Sequence, residues 1–296
     1  MSSIESAAAW ADFWATPSGG GCLAALDQEF EKLEASAWRP LAAALPRKTA
    51  VLDIGTGDGI VLQRLHKLRP DLRLTGIDSS PHLPASPKGM KLKPGIAAES
   101  LPFADASIDA VVSRYGYEYG ATAAVAAEAA RVTKAGGKLL LIVHHRASPV
   151  VAWNERRAAA LRWAAMDSGY LDKARAYANS RLVARLPVPA PLLASVREAA
   201  SRFPADPVAA EVLTGMLQTI DPRFPPAQSL QALGMLERRA KGELARLAAL
   251  ESAARDESGI AAIAAELEAA GFAIESPSPM IGRDGPLAWL VRGTRR

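Results

Sequence analysis

The run Val51-Leu52-Asp53-Ile54-Gly55-Thr56-Gly57-Asp58-Gly59-Ile60 decides the fold. An apolar segment carrying one acid gives way to three alternate glycines, and a helical pattern opens at Ile60. Short apolar runs of this kind are buried strands, and a glycine-rich exit lets the chain turn tightly into the helix that follows. Glycine also lets a ligand approach the main chain, and the helix N-terminus behind the loop carries partial positive charge. The spacing is G-x-G-x-G, so the last position of the dinucleotide pattern G-x-G-x-x-G is not met, which argues against NAD. The next apolar run, Leu72 to Ile77, ends in Asp78. An acid about twenty residues past such a loop, at a strand's C-terminal end, accepts hydrogen bonds from ribose hydroxyls. Loop and acid together predict a nucleoside cleft.

Outward from the loop, apolar runs alternate with helical stretches: Ala50 to Ile54, helix Ile60 to Leu68, Leu72 to Ile77, Ile108 to Val112, helix Ala121 to Thr133, and Lys138 to Val143. Buried runs alternating with helices indicate a parallel sheet covered on both faces. The chain returns to this pattern near its end, with a helix from Ile260 to Ala270, an apolar run to about Ile281, a Gly282 to Pro286 turn and a last run from Leu287 to Val291. The expected fold class is therefore α/β, a Rossmann-like, doubly wound, mostly parallel seven-stranded sheet with a C-terminal antiparallel hairpin and a large helical insertion. Four segments follow: an N-terminal helical cap over 1–46, a cofactor-binding core over 47–148, a helical insertion over 149–258, and a completing helix and two strands over 259–296. The cap carries Trp10, Phe13, Trp14 and Trp38 around Gly19 to Gly21, with helical spacing from Leu23 to Leu33; the first three aromatics suit core packing or a lid over the cleft. In the insertion, Leu230, Leu233, Leu244, Leu247 and Leu250 form an apolar stripe, packed internally or serving as the seam of a homodimer.

Composition bounds the partners. With 49% hydrophobic and 22% charged residues over 296 positions, the chain is too apolar to be disordered and long enough to bury a sizeable core. Its single cysteine, Cys22, makes no intramolecular disulfide and no cysteine-based zinc site, so no metal is expected. The 35 basic and 31 acidic residues are interspersed, which makes nucleic acid an unfavoured partner despite the net charge of +4. The start, MSSIESAAAWADFW, has no basic segment leading into an apolar one, and no stretch approaches the ~20 apolar residues that span a bilayer. A cytoplasmic protein without membrane contact is expected.

Four motifs resemble the class I S-adenosylmethionine-dependent methyltransferases, in the small-molecule branch that includes ubiquinone-biosynthesis-like, type 11 enzymes. Asp53-Ile54-Gly55-Thr56-Gly57-Asp58-Gly59 resembles the family's first motif, and Asp78 matches the acid after its second strand. Ala98-Glu99-Ser100-Leu101-Pro102-Phe103-Ala104-Asp105-Ala106-Ser107-Ile108-Asp109 is similar to the stretch D-A-x-x-L-P-F-x-D-x-S-F-D, and Arg131-Val132-Thr133-Lys134-Ala135-Gly136-Gly137 resembles the turn R-V-L-K-P-G-G. The resemblance implies S-adenosylmethionine as cofactor and S-adenosylhomocysteine as product. It implies that Gly55 and Gly57 line the methionine part, with Asp53, Thr56 and Gly59 beside them, that Asp78 and Ser79 meet the ribose, and that Ala98 and Glu99 edge the adenine, with Ser113 at the fourth strand's end. The family's usual adenine acid aligns with Ala97, so either Glu99 substitutes or main chain and apolar contacts hold the base.

Methyl transfer from a sulfonium is an in-line displacement, so placement supplies most of the catalysis and a base is needed only for a protonated acceptor. Two clusters fall where open α/β sheets put ligands. Tyr115, Tyr117, Glu118 and Tyr119 follow the fourth strand, and His144, His145 and Arg146 the fifth. Tyr117, Glu118, His144 and His145 are the candidate catalytic residues, an imidazole having the range for base work at neutral pH. The aromatics suit a planar acceptor, and Arg146 suits a carboxylate on one. The expected activity is methyl transfer to a small molecule, aromatic or carboxylate-bearing. An RNA or protein methyltransferase and a non-catalytic cofactor-binding scaffold remain the alternatives.

Overall fold

The computed structural model describes residues 10, 28–183 and 186–296. Phe13, Trp14, Gly19 to Gly21, Cys22 and the start of the Leu23 to Leu33 segment lie outside the described residues. Two compact units divide the chain: one formed by 1–152 and 249–296, the other by 153–248.

The first unit is an eight-stranded sheet: β1 (Ala50–Ile54), β2 (Arg73–Ile77), β3 (Met90–Lys93), β4 (Ile108–Arg114), β5 (Thr133–His144), β6 (Phe272–Ile274), β7 (Ser278–Gly282) and β8 (Gly285–Arg295). The order is β3-β2-β1-β4-β5-β8-β6, with β7 also on β8. The pairs β1–β2, β1–β4, β2–β3 and β4–β5 are parallel, and β8 runs antiparallel to β5, β6 and β7. The fold is thus the mostly parallel, doubly wound α/β sheet with antiparallel C-terminal strands that the sequence predicts, with eight strands in place of the expected seven. Chain order reverses beside β1, at the β1–β4 step, and sheets of this type bind ligands there, at the carboxyl ends of the strands.

Alternation along each strand feeds two cores. Leu52, Ile54, Leu139, Leu141 and Val143 point to the face covered by helices Thr122–Val132 and Glu257–Ala269, packing on Val125, Ala129, Ile260 and Ile263. Val51, Ala110, Val112, Leu140 and Ile142 point to the other face, under helices Gln28–Ala44 and Ile60–Leu68, against Trp38, Leu41, Leu62 and Leu65.

Three differences from the sequence reading have local causes. β3, Met90-Lys91-Leu92-Lys93, is half lysine and only four residues long, so no apolar run marks it. β5 starts at Thr133 rather than Lys138, because the expected turn is instead the irregular beginning of the strand, with a register shift against β4 and Gly136 at φ 76°. The single run expected up to Ile281 is two strands, since Pro277 has no N–H for a ladder. β6 pairs with β8 at Gly293 to Arg295, and β7 pairs further along at Gly285 to Leu290, so the two lie end to end on one edge.

The second unit is helical. Helices Tyr170–Ser180, Ala190–Arg202 and Val208–Thr219 lie within it, and Pro149–Arg162 and Pro226–Ala253 run into and out of it. Its core includes Leu161, Tyr170, Leu213 and Leu233. The leucine stripe is consumed internally: Leu233 and Leu244 belong to this core, while Leu250 packs with Val151 in the first unit. Leu247 is buried as well, and Leu230 is half-buried. Among the described residues no helix is long and apolar enough to cross a membrane, and no group of His, Cys, Asp or Glu is arranged to hold a metal ion.

Candidate active site

The glycine loop leaves β1 with Gly55, Gly57 and Gly59 at φ 68°, 50° and 75°, the left-handed region that other residues enter only at a cost. Loop and β2 are tied together. Thr56 N–H donates to Ile77 O at 2.9 Å, and Gly57 N–H donates to Asp78 Oδ2 at 3.0 Å. The other Asp78 oxygen accepts from Ser80 N–H at 2.9 Å. A Cβ on Gly76 would lie 2.2 Å from Thr56 Oγ1, so a glycine in the middle of β2 is what lets the loop sit down on it.

Asp53 is buried beneath the loop. Its Oδ2 accepts from Thr56 Oγ1 at 2.7 Å, and its Oδ1 is buried with no partner. Burial, above all, pushes its carboxyl up to about 7, with the Asp78 and Asp58 charges adding and the Thr56 hydrogen bond opposing. Burial raises Asp78 as well, against the two amides that favour its charged form. An orphaned buried oxygen asks for a donor. Two carboxylates beside a glycine loop suit a ligand with a ribose and a positively charged end, which is the donor set S-adenosylmethionine requires.

On the neighbouring segment Arg131 gathers the loop from Leu101 to Asp105. It donates to Leu101 O at 2.9 Å, Phe103 O at 2.9 Å and Asp105 at 2.7 Å, while gripping Glu128 with two nitrogens. Ala98 is half-buried against the sheet core, and Ser79 is exposed beside Asp78. Glu99 is half-buried, and its Oε1 accepts Ala121 N–H at 2.9 Å, at the start of helix Thr122–Val132. Ser113 does not face the cleft. Its hydroxyl, fully buried, donates to Ile54 O at 2.7 Å and accepts from Tyr117 N–H at 2.9 Å, so it frames the site by joining β1 to the turn after β4.

The two clusters of candidate catalytic residues separate once their directions are known. Tyr117 and Glu118 occupy a 3₁₀ turn, Tyr117–Tyr119. Tyr117 points inward, 1% exposed in the sheet core, its hydroxyl donating to Thr122 O at 3.0 Å and its phenol raised by burial. A base role for Tyr117 is thereby removed. Glu118 points across to β5: its Oε1 accepts His144 N–H at 2.9 Å and lies 2.8 Å from His144 Nδ1, while its Oε2 is buried without a partner. A carboxylate only accepts, so the pairing suits the tautomer with the proton on Nδ1 and leaves Nε2 as the acceptor nitrogen. The His144 ring lies against Tyr115, 4.2 Å between centroids, and edge-on to Tyr119 at 5.9 Å; Trp10 in turn meets Tyr119 edge-on at 5.6 Å.

His145 alternates to other company. It stacks on Trp289 at 4.5 Å, its Nδ1 accepts Ala147 N–H at 3.1 Å, and burial lowers its pKa. These contacts make it a packing residue rather than a base. Arg146 turns to Glu251, donating to its carbonyl at 2.9 Å. One participant has no signature in the sequence: Arg255, beyond the helical insertion, whose N–H donates to His144 O at 2.8 Å and whose guanidinium donates to Glu118 O at 3.1 Å.

A family model described as a methyltransferase domain matches residues 52–141. A demethylmenaquinone methyltransferase of Thermotoga maritima is 36% identical over 96 residues, covering 31% of this chain and 42% of the relative; the chain thus spans less than half of that protein's length. Among solved structures, an S-adenosylmethionine-dependent methyltransferase from Aquifex aeolicus aligns over 91% of this chain and 94% of its own at 13% identity, TM-score 0.45. A methyltransferase in complex with the Haloferax volcanii Trm112 activator aligns over 49% of this chain and 61% of its own at 25% identity, TM-score 0.36. Over residues 52–141 the chain is thus similar in sequence to methyltransferase domains.

Proposed function

We propose that the protein transfers a methyl group from S-adenosylmethionine to a small-molecule acceptor by in-line displacement. The hydrogen bond from Gly57 N–H to Asp78 Oδ2 carries this reading, because it joins the glycine loop and the ribose acid into one site. When bound, the cofactor supplies an electrophilic methyl group on a sulfonium. The chain's own residues then hold and orient. Asp78, with Ser79 beside it, takes the ribose hydroxyls; Asp53, Thr56 and the amides around Gly55 and Gly57 take the charged amino-acid end; Ala98 and Glu99 border the adenine. Placement of this kind is worth effective molarities of order 10⁵ M or more, so no covalent residue is needed.

A small acceptor is favoured over nucleic acid by the interspersed charge of the chain and by the name of the Thermotoga maritima relative, which describes action on a small molecule. The helical unit 153–248 is the proposed source of acceptor specificity, and the cytoplasm the proposed location. Calorimetric titration with S-adenosylmethionine, S-adenosylhomocysteine and NAD tests the reading. Micromolar binding of the first two and none of NAD is expected, and absence of binding to all three would overturn it.

A further inference from the structure

We propose that Glu118 and His144 form a general-base pair, and that the acceptor is therefore a planar ring bearing an ionisable hydroxyl. The inference rests on the methyltransferase reading above and goes on to name the acceptor's chemistry.

Position comes first. A Cβ on Gly55 would lie 2.6 Å from Gly116 Cα, so the glycine loop touches the turn that carries Glu118. Gly55 borders the methionine end in the proposed site, which brings the pair to the end where the methyl group is transferred. Orientation follows from Glu118, whose Oε1 engages both the backbone N–H and the ring Nδ1 of His144, leaving Nε2 as the base.

The Glu118 side chain is fully buried and the His144 side chain 6% exposed. Burying a carboxylate is costly unless it is hydrogen-bonded, and here the bonds go to the histidine and to nothing that would explain the carboxylate as a helix cap or a surface ion pair. Arg255 secures both partners from a third segment, through His144 O and Glu118 O. Gly259 makes room for it, since a Cβ there would lie 2.9 Å from Arg255 Cδ. The ionisable neighbours of His144 are Glu118, Tyr115, Tyr119 and Arg255, with Glu34 and Arg114 behind Tyr115.

A carboxylate or a carbanion acceptor is already without its proton and needs no base, whereas a phenolic hydroxyl keeps its proton at neutral pH. In the step inferred, the hydroxyl proton passes to His144 Nε2 as an oxygen lone pair forms the new C–O bond. The C–S bond breaks, and its electron pair stays on sulfur as a neutral thioether. Glu118 stabilises the resulting imidazolium, the arrangement that makes a His–carboxylate pair effective. The half-buried rings of Tyr115, Tyr119 and Trp10 supply flat apolar faces for a planar ring.

The test uses the full chain with S-adenosylmethionine and a panel of mono- and dihydroxyarenes, including phenol, catechol and 4-hydroxybenzoate, with benzoate as the partner lacking a hydroxyl. Product is identified by mass spectrometry, and turnover is followed from pH 5 to pH 9. Histidine ¹⁵N NMR on the same protein reads the His144 tautomer and titration without any acceptor. Methylation on a ring hydroxyl is expected, with an Nδ1–H tautomer at His144. His144→Ala should lose about 10²- to 10⁴-fold in turnover, with S-adenosylhomocysteine affinity held. Glu118→Gln keeps an acceptor for the ring N–H and should lose less than Glu118→Ala.

Methylation of the benzoate carboxylate or of a ring carbon, an Nε2–H tautomer, undiminished turnover in His144→Ala, or cofactor binding with no hydroxyarene methylated would each overturn the proposal. Failure to bind the cofactor would instead overturn the reading on which it rests, and the calorimetry tells the two apart.

Discussion

Gly55 and Gly116 meet backbone to backbone, each occupying the space a Cβ of the other would need: 2.6 Å from Gly55's to Gly116 Cα, and 2.7 Å from Gly116's to Gly55 Cα. The loop after β1 and the turn after β4 are thereby locked at the point where chain order in the sheet reverses. Gly116 has φ −134°, outside the left-handed region that favours glycine, so alanine there tests the contact. Overpacking of this kind costs about 1–3 kcal/mol. Gly116→Ala should lower the melting temperature and weaken cofactor binding, since the loop that must move is the binding loop. Calorimetry on the variant checks it; wild-type affinity would show that the contact is not part of the site.

Asp78 has two duties, which a careful substitution separates. It accepts amides from Gly57 and Ser80, and it is the proposed ribose acid. Asp78→Ala would orphan both amides, each worth about 1 kcal/mol. Asp78→Asn retains an acceptor oxygen and removes the charge-assisted bond to ribose. The expected result for Asp78→Asn is a fall in S-adenosylmethionine affinity of at least about tenfold, or 1.4 kcal/mol, with a smaller loss of thermal stability than in Asp78→Ala. Affinity equal to wild type would remove the ribose assignment.

The elements around these residues were legible in the sequence to different depths, for physical reasons. Glycine loop, strand and helix form a local pattern, so the run from Val51 to Ile60 and the acid at Asp78 could be read directly; helix Ile60–Leu68 has the expected bounds. Side-chain direction in irregular backbone could not. Tyr117 and Glu118 are adjacent on a 3₁₀ turn, and only the turn's geometry sends one into the core and the other to His144. Neither could the separation of His144 from His145, which depends on where β5 stops, nor Arg255, which reaches the pair only after a whole helical unit has intervened. β3 was hidden because its lysines break the apolar pattern, although the order of the sheet requires a strand there.

Asp53 makes stability depend on pH. Its folded carboxyl is raised to about 7 from the ordinary 3.8, so between those limits the folded chain keeps a proton that the unfolded chain releases. Stability from this group is full below about pH 4 and is lost as pH rises to about 7. Asp53→Asn cannot ionise, so its stability relative to wild type should increase across that window. The shift corresponds to an effect of order 4 kcal/mol. Binding of a cationic cofactor should respond oppositely, strengthening in wild type as Asp53 ionises. Chemical denaturation and calorimetry at pH 5 and pH 8 measure both, and a flat difference between the two proteins would contradict the assignment.

His145 provides the mirror case and a contrast with its neighbour. Burial lowers its folded pKa, so the folded chain binds its proton less readily than the unfolded chain, and stability should be present above the ordinary histidine range and lost as pH falls through it. His145→Asn offers an amide oxygen to Ala147 N–H in place of Nδ1 but gives up the stack on Trp289. The variant should be less stable at neutral pH by about 0.5–1.5 kcal/mol, the worth of an aromatic pair, and should lack the acid-side loss that wild type shows. Because the ring faces Trp289 and not the Glu118–His144 pair, turnover at matched folded concentration should stay within about threefold of wild type, a loss of under 1 kcal/mol in transition-state stabilisation. A large fall in turnover at unchanged stability would return His145 to the chemistry, and denaturation curves collected beside the rate measurements decide between the two.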